Sequence, residues 1–240
     1  MWALGTLLQD GWRDARGRAT LRRNPAAAFR LFVRAANAGD TSGAFSLGYA
    51  YDLGVGTKPD KRLALHWYRR AARDGHSAAP NNIATIYRDE HKYDLAFQWW
   101  ERGLAMRDGD AGVQVGYCYQ YGIGTRRNPV MARHVFRRAI SSRDISEAGR
   151  EEAMYHLAVA DIDDGKTSLA IPLLKRASKD DDYPEAKSLL EQIRSKRAIH
   201  PCRCRRGIYK QLPGHARCPL HPRSARALRV QSSRARGAPR

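Results

Sequence analysis

Five alanines set the register of this chain. Ala28, Ala64, Ala96, Ala132 and Ala170 follow one another at intervals of 36, 32, 36 and 38 residues. Seven residues after each stands a second small residue: Ala35, Ala71, Gly103, Ala139 and Ala177. Four residues after each stands a bulky apolar one: Phe32, Tyr68, Trp100, Phe136 and Leu174. Self-similarity with a period of about 20–50 residues marks a stack of repeats, in which each unit buries its apolar face against a neighbour. Such a chain offers a long surface in place of an enclosed catalytic pocket.

The clearest unit runs from Ala44 to Ala79. Ala44, Leu47, Gly48 and Tyr51 fall at i, i+3, i+4 and i+7, one face of a helix over 44–53. Gly54 and Gly56 end that helix, because glycine takes positive φ without steric cost. Asp60 caps a second helix reaching about Arg73, with Ala64, Trp67, Tyr68 and Ala71 inward. Small residues let the two backbones approach, and the rings fill the space beside them. Leu4, Leu47, Ile83, Val115 and Leu157 share one first-helix position, each followed by a small residue: Gly5, Gly48, Ala84, Gly116 and Ala158. Gly11, Gly54 and Gly122 share the turn. Asn24-Pro25 and Asn128-Pro129 repeat a start signal, with Asn as cap and Pro in the first turn. The unit near Glu90-His91 is four residues short and lacks the double glycine. The link between Ala139 and Leu157 is six residues long beyond its counterparts, placed at 141–150. A last half-unit carries Ala186 and Leu189.

These residues resemble the Sel-one-like repeat family, relatives of the tetratricopeptide repeat. The family pattern stands here as Leu47-Gly48, Gly54-Val55-Gly56, Asp60, Ala64, Trp67-Tyr68, Ala71-Ala72 and Gly75. It returns as Val115-Gly116, Gly122-Ile123-Gly124, Asn128, Ala132, Phe136 and Ala139, and in part as Asn24, Ala28, Phe32, Ala35-Ala36 and Gly39. The resemblance covers residues 3–194, with the units at 80–112 and 154–186 degenerate. It implies an all-α fold: a right-handed α/α solenoid of about five helix pairs plus a terminal half-repeat. It also implies an adaptor that assembles other proteins. Some cysteine-rich relatives are linked to penicillin binding, a hydrolase-type activity; this chain lacks their two cysteines per repeat.

The formal net charge is +19, unevenly spread. Residues 195–240 hold 13 Lys or Arg and no Asp or Glu, whereas residues 1–194 hold 30 basic and 24 acidic side chains. The expected domains are therefore a solenoid over 1–194 and a basic, disordered tail over 195–240. That tail has other readings. Its arginines could bind nucleic acid or an acidic partner. Cys202, Cys204, Cys218 and His221, with His200 and His215 as substitutes, could form a zinc knuckle over 200–221. The Arg, Ala, Pro and Ser after Pro222 also suit an out-of-frame end. No apolar run reaches the ~20 residues of a membrane span, and no signal peptide is evident. The chain reads as cytoplasmic, although Leu4-Gly5 already stands in register, which reads as an incomplete start.

The remaining motifs point to structure. Gly54-Val55-Gly56-Thr57-Lys58 lacks the G-x-x-x-x-G-K-[ST] of a phosphate loop. His66 and His134 repeat one helix position. Cys118, between Tyr117 and Tyr119, suits a small buried side chain. Trp67, Tyr68, Trp99, Trp100 and Phe136 share a core register. Asp163-Asp164 and Asp180-Asp181-Asp182 suit solvated loops. No catalytic residue, metal site or cofactor is expected, and the chain is expected not to be an enzyme. The expected function is a protein–protein scaffold that holds a peptide or protein on the concave face. Ser46, Tyr49, Asn82, Thr85, Gln114, Tyr117 and His156 line that groove by register, away from the Leu47/Gly48 stripe.

Overall fold

The computed structural model describes residues 1–13, 16, 18–179 and 183–194. The tail beyond residue 194, with its cysteine and histidine cluster, lies outside the described residues, as does the Asp180-Asp181-Asp182 run. Eleven α-helices follow one another among the described residues: α1 (Trp2–Asp10), α2 (Pro25–Asn37), α3 (Thr41–Leu53), α4 (Lys61–Arg73), α5 (Ala79–Asp89), α6 (Tyr93–Ala105), α7 (Gly109–Tyr121), α8 (Pro129–Ile140), α9 (Glu147–Asp163), α10 (Thr167–Ala177) and α11 (Pro184–Arg194). The chain divides into two compact units, Met1–Ile86 and the remainder from Tyr87, with the boundary inside α5. In the first unit α1 pairs with α2, α2 with α3, and α3 with α4. In the second, α6 packs on α7, α7 on α8, α8 on α9, α9 on α10, and α10 on α11. The fold is the all-α solenoid of consecutive helix pairs that the repeated alanines predict. One departure is a short antiparallel hairpin, β1 (Trp12–Arg13) with β2 (Ala19–Leu21), where later units carry Gly-x-Gly.

The register residues are the core. All five repeating alanines are fully buried, and so are Phe32, Tyr68, Trp100, Phe136 and Leu174. Phe32, Tyr68 and Phe136 each meet the glycine of the facing helix. A methyl added at Gly5 would stand 2.6 Å from Phe32 Cε1, at Gly48 2.7 Å from Tyr68 Cδ1, and at Gly116 2.5 Å from Phe136 Cε1. Those distances lie well inside van der Waals contact, so nothing larger than hydrogen fits there. In the last pair Ala158 and Leu174 share a cluster with Ala170, Ala177, Ala186 and Leu190.

Local chemistry fixes where each helix starts and stops. Asn24 and Asn128 accept from the backbone N–H groups of Ala27 and Met131 at 3.0 and 3.1 Å, with proline in the first turn. Asp60 accepts from Arg62 and Leu63. Gly54 and Gly122 end α3 and α7 in the left-handed region, each at φ 73°. The second glycine of each loop has a different task. A Cβ on Gly56 would run into the carbonyl of Pro25, the first residue of α2, and one on Gly124 into the carbonyl of Tyr93, the first residue of α6. The Gly-x-Gly loop thus lies on the start of the preceding second helix. In the short unit His91 holds φ 61° in place of a glycine.

Several expectations shift. Trp67 and Trp99 are half-buried and outside the core. Arg70 lies over the Trp67 ring at 5.4 Å, and Arg102 over Trp99 at 5.1 Å. Both arginines belong to a last-turn series, Arg34, Arg70, Arg102, Arg138 and Arg176, where positive charge complements the helix dipole. Leu4 is 50% exposed despite its register. In α11 it is Leu190, beside half-buried Leu189, that is buried. The long link after α8 is shorter than its register implied, because α9 begins at Glu147 under a Ser146 cap.

Neighbouring rings on α4 therefore separate core from surface. Tyr68→Ala is expected to cost about 3–5 kcal/mol by opening a cavity beside Gly48. Trp67→Ala removes an exposed cation–π contact and costs about 1 kcal/mol. Urea unfolding followed by circular dichroism measures both.

Candidate functional site

The candidate residues sit on the first helices: Ser46 and Tyr49 on α3, Asn82 and Thr85 on α5, Gln114 and Tyr117 on α7, His156 on α9. In the first unit Ser46 is half-buried and its hydroxyl accepts from Trp2 Nε1 at 2.9 Å. Tyr49, Asn82 and Thr85 are buried. Thr85 donates to the carbonyl of Asn81, one turn back on its own helix, at 2.9 Å.

The second unit brings its three candidates together, because α7 packs directly on α9. The Tyr117 and His156 rings meet edge to face at 5.1 Å. Gln114 Nε2 donates to Glu152 Oε1 at 3.4 Å. Glu152 stands one turn before His156, whose Nε2 lies 4.0 Å from that same oxygen. Phe136 stacks on the imidazole at 5.6 Å, and Tyr155 closes it at 5.3 Å. Tyr121 packs against Tyr117 at 4.6 Å. Gln114, Glu152 and His156 are all at least nine-tenths buried. Gln114 Oε1 and both His156 nitrogens lack a hydrogen-bond partner.

Burial decides the charge states. It pushes the His156 imidazole down to about 3, so the ring is neutral at physiological pH. It pushes the Glu152 carboxyl up to about 7. The hydrogen bond from Gln114 opposes that rise, Asp110 on α7 adds to it, Arg88 on α5 opposes it, and Glu185 on α11 adds to it. The cluster is rich in acceptors: a carboxylate, an amide oxygen and a ring nitrogen, walled by aromatic rings. Glu152 carries no repeat signature. Its sign in the sequence is a carboxylate at i−4 to a histidine on the same helix.

Other sequence candidates stay apart from this site. His66 and His134 are exposed on second helices. Cys118 is fully buried, and burial pushes its thiol up to about 12, which leaves it unreactive. Among the described residues no three His, Cys, Asp or Glu side chains are grouped to hold a metal, and no helix is long and apolar enough to cross a membrane.

Comparison with known proteins agrees with the helix-pair fold. The Sel1 repeat profile matches residues 1–40, 41–76, 86–108 and 110–144, more than half of the chain. The chain is 30% identical over 132 residues to the chitin synthase regulator SKT5 of Saccharomyces cerevisiae. That match takes in 49% of this chain and 18% of the yeast protein, so the chain spans under a fifth of that relative's length. Among solved structures, a Sel1 repeat protein from Oxalobacter formigenes is 22% identical with a TM-score of 0.63, over 99% of this chain and 86% of its own. The antigen c5321 of uropathogenic Escherichia coli, described as displaying an SLR fold, is 20% identical with a TM-score of 0.67, over 82% of this chain and 41% of its own.

The Glu152 carboxyl binds its proton more tightly in the folded chain than its usual 4.5 allows. The folded state therefore holds the extra proton between about pH 4.5 and 7, and stability falls as pH rises through that window. Glu152→Gln removes the cost. Its gain over the parent chain is expected to grow by about 3 kcal/mol between about pH 5 and 8. Urea midpoints at the two pH values measure it. His156 has the opposite sign, its contribution being lost as pH falls from about 6.5 toward 3.

Proposed function

The chain belongs to the Sel1 repeat family, and from that premise we propose that it is a non-enzymatic scaffold that binds a protein or peptide on its first-helix face. The observation that carries this reading is the contrast between the two helix faces. Second helices spend their apolar side on packing and end in solvated arginines. First helices place Tyr, Asn, Gln and His at matching positions beside the small-residue stripe. Rigid rings give contact area at low entropic cost, and amides supply hydrogen bonds in both directions. A relative named for regulating chitin synthase supports a role exercised on another protein. The fixed helix pairs supply a preorganised surface, which lowers the ordering cost of binding.

The reading has a direct test. Immobilised full-length chain is expected to retain a discrete set of proteins from an extract of its own cells. Tyr49→Ala with Tyr117→Ala is expected to abolish that retention while helical circular dichroism persists. Arg137→Ala with Arg138→Ala, exposed on the second helix α8, is expected to leave retention intact. Retention that survives loss of both tyrosines, or that depends on the two arginines, contradicts a first-helix binding face.

A further inference from the structure

We propose that Glu152, Gln114 and His156 form a receptor for a primary ammonium, the side-chain head of a lysine presented by the bound partner. This deepens the scaffold reading and rests on it. The argument begins with what the cluster lacks. Glu152 is a buried carboxylate, with Arg88 and the Gln114 amide on one side of its charge balance and Asp110 and Glu185 on the other. Its hydrogen bond from Gln114 is long, at 3.4 Å. Gln114 Oε1 is a buried acceptor without a partner, and both His156 nitrogens are unpartnered too, one of which accepts in the neutral ring. Buried acceptors left unpaired are costly and rare in native structures.

A lysine head group answers that deficit. It carries three N–H donors and no acceptor. The three acceptors available are Glu152 Oε, Gln114 Oε1 and His156 Nε2. The two that face each other, Glu152 Oε1 and His156 Nε2, stand 4.0 Å apart, close enough for one nitrogen to bond both. One negative charge matches one positive charge. A neutral imidazole accepts at its unprotonated nitrogen and adds no repulsion. The rings suit the same guest: Tyr117 and Tyr121 on α7 and Tyr155 on α9 pack around the His156 imidazole, and cations are drawn to ring faces. Tyr121 and Tyr155, which pack on His156, and Tyr183, which lies near Glu152, are only half-buried. Arginine is a poorer match, because its flat fork of donors suits two coplanar acceptors rather than three converging ones.

Binding is linked to ionisation of Glu152. The groups that face it are Arg88 from α5, Asp110 from α7, His156 on α9, and Tyr183 and Glu185 at α11. Its carboxyl titrates near 7, so the receptor is charged above that pH and neutral below it. Affinity for an ammonium is expected to rise about tenfold from about pH 6 to 8.

The experiment titrates the full-length chain with acetyl-lysine methylamide, following the ¹⁵N resonances of the His156 ring. Saturable binding is expected, with Nε2 shifting as it accepts a hydrogen bond. Glu152→Gln is expected to weaken binding at least tenfold while keeping the fold. The Nε-acetylated probe, which has lost its charge, is expected not to bind, and acetyl-arginine methylamide to bind more weakly than the lysine probe. Three results would overturn the proposal: no saturation, equal binding by Glu152→Gln, or equal binding of the acetylated probe. The scaffold reading fails separately. Partner retention that is lost with the tyrosines but unaffected by Glu152→Gln keeps the binding face and removes the ammonium site.

Discussion

The contact between a side chain of almost no volume and a ring on the facing helix governs this structure. Gly5 against Phe32, Gly48 against Tyr68 and Gly116 against Phe136 are one contact made three times. Two helix backbones come close enough for an aromatic face to lie where a Cβ would stand. The energy comes from burying the ring, worth roughly 1.5–3 kcal/mol for a full side chain. The precision comes from the absent methyl. Because ring and small residue sit at fixed offsets in each unit, the same pairing recurs and the helices take turns as partners.

The loops then become intelligible. The first glycine of Gly-x-Gly closes a helix in the left-handed region, and the second lets the chain lie on the carbonyl at the start of an earlier second helix. Where the double glycine is missing, His91 accepts positive φ itself, a conformation that costs a residue with a Cβ of order 1 kcal/mol. With second helices committed to packing and α7 laid on α9, side chains from distant positions in the sequence converge. Gln114 and Glu152 are 38 residues apart yet hydrogen-bonded. Such convergence lets a linear array gather distant side chains without a closed pocket.

Much of the fold was legible because it repeats. The five alanines, the rings four residues on and the glycine turns all stand where periodicity places them. Two of the misplacements share one cause. Positions i+3 and i+4 point to nearly the same side of a helix, so Trp67 and Tyr68 both looked like core; tertiary packing took Tyr68 and left Trp67 to Arg70. In α11, likewise, Leu190 is the buried one while Leu189 packs half-buried against the same cluster. Of the candidate site, register located Gln114, Tyr117 and His156, whose meeting is a consequence of helix stacking. Glu152 escaped notice because one carboxylate repeats nothing, and only the structure shows how deeply it is buried.

The central claim is that the missing methyl and the ring act as one unit. A double-mutant cycle on Gly116→Ala and Phe136→Leu, read from urea unfolding, measures that directly. The account predicts strong coupling: the added methyl destabilises the parent chain but is tolerated once the ring is gone, with an interaction energy of at least about 1 kcal/mol. Costs that simply add would mean that the ring does not rest on the glycine, and the repeated contact would not be what holds the helix pairs in register.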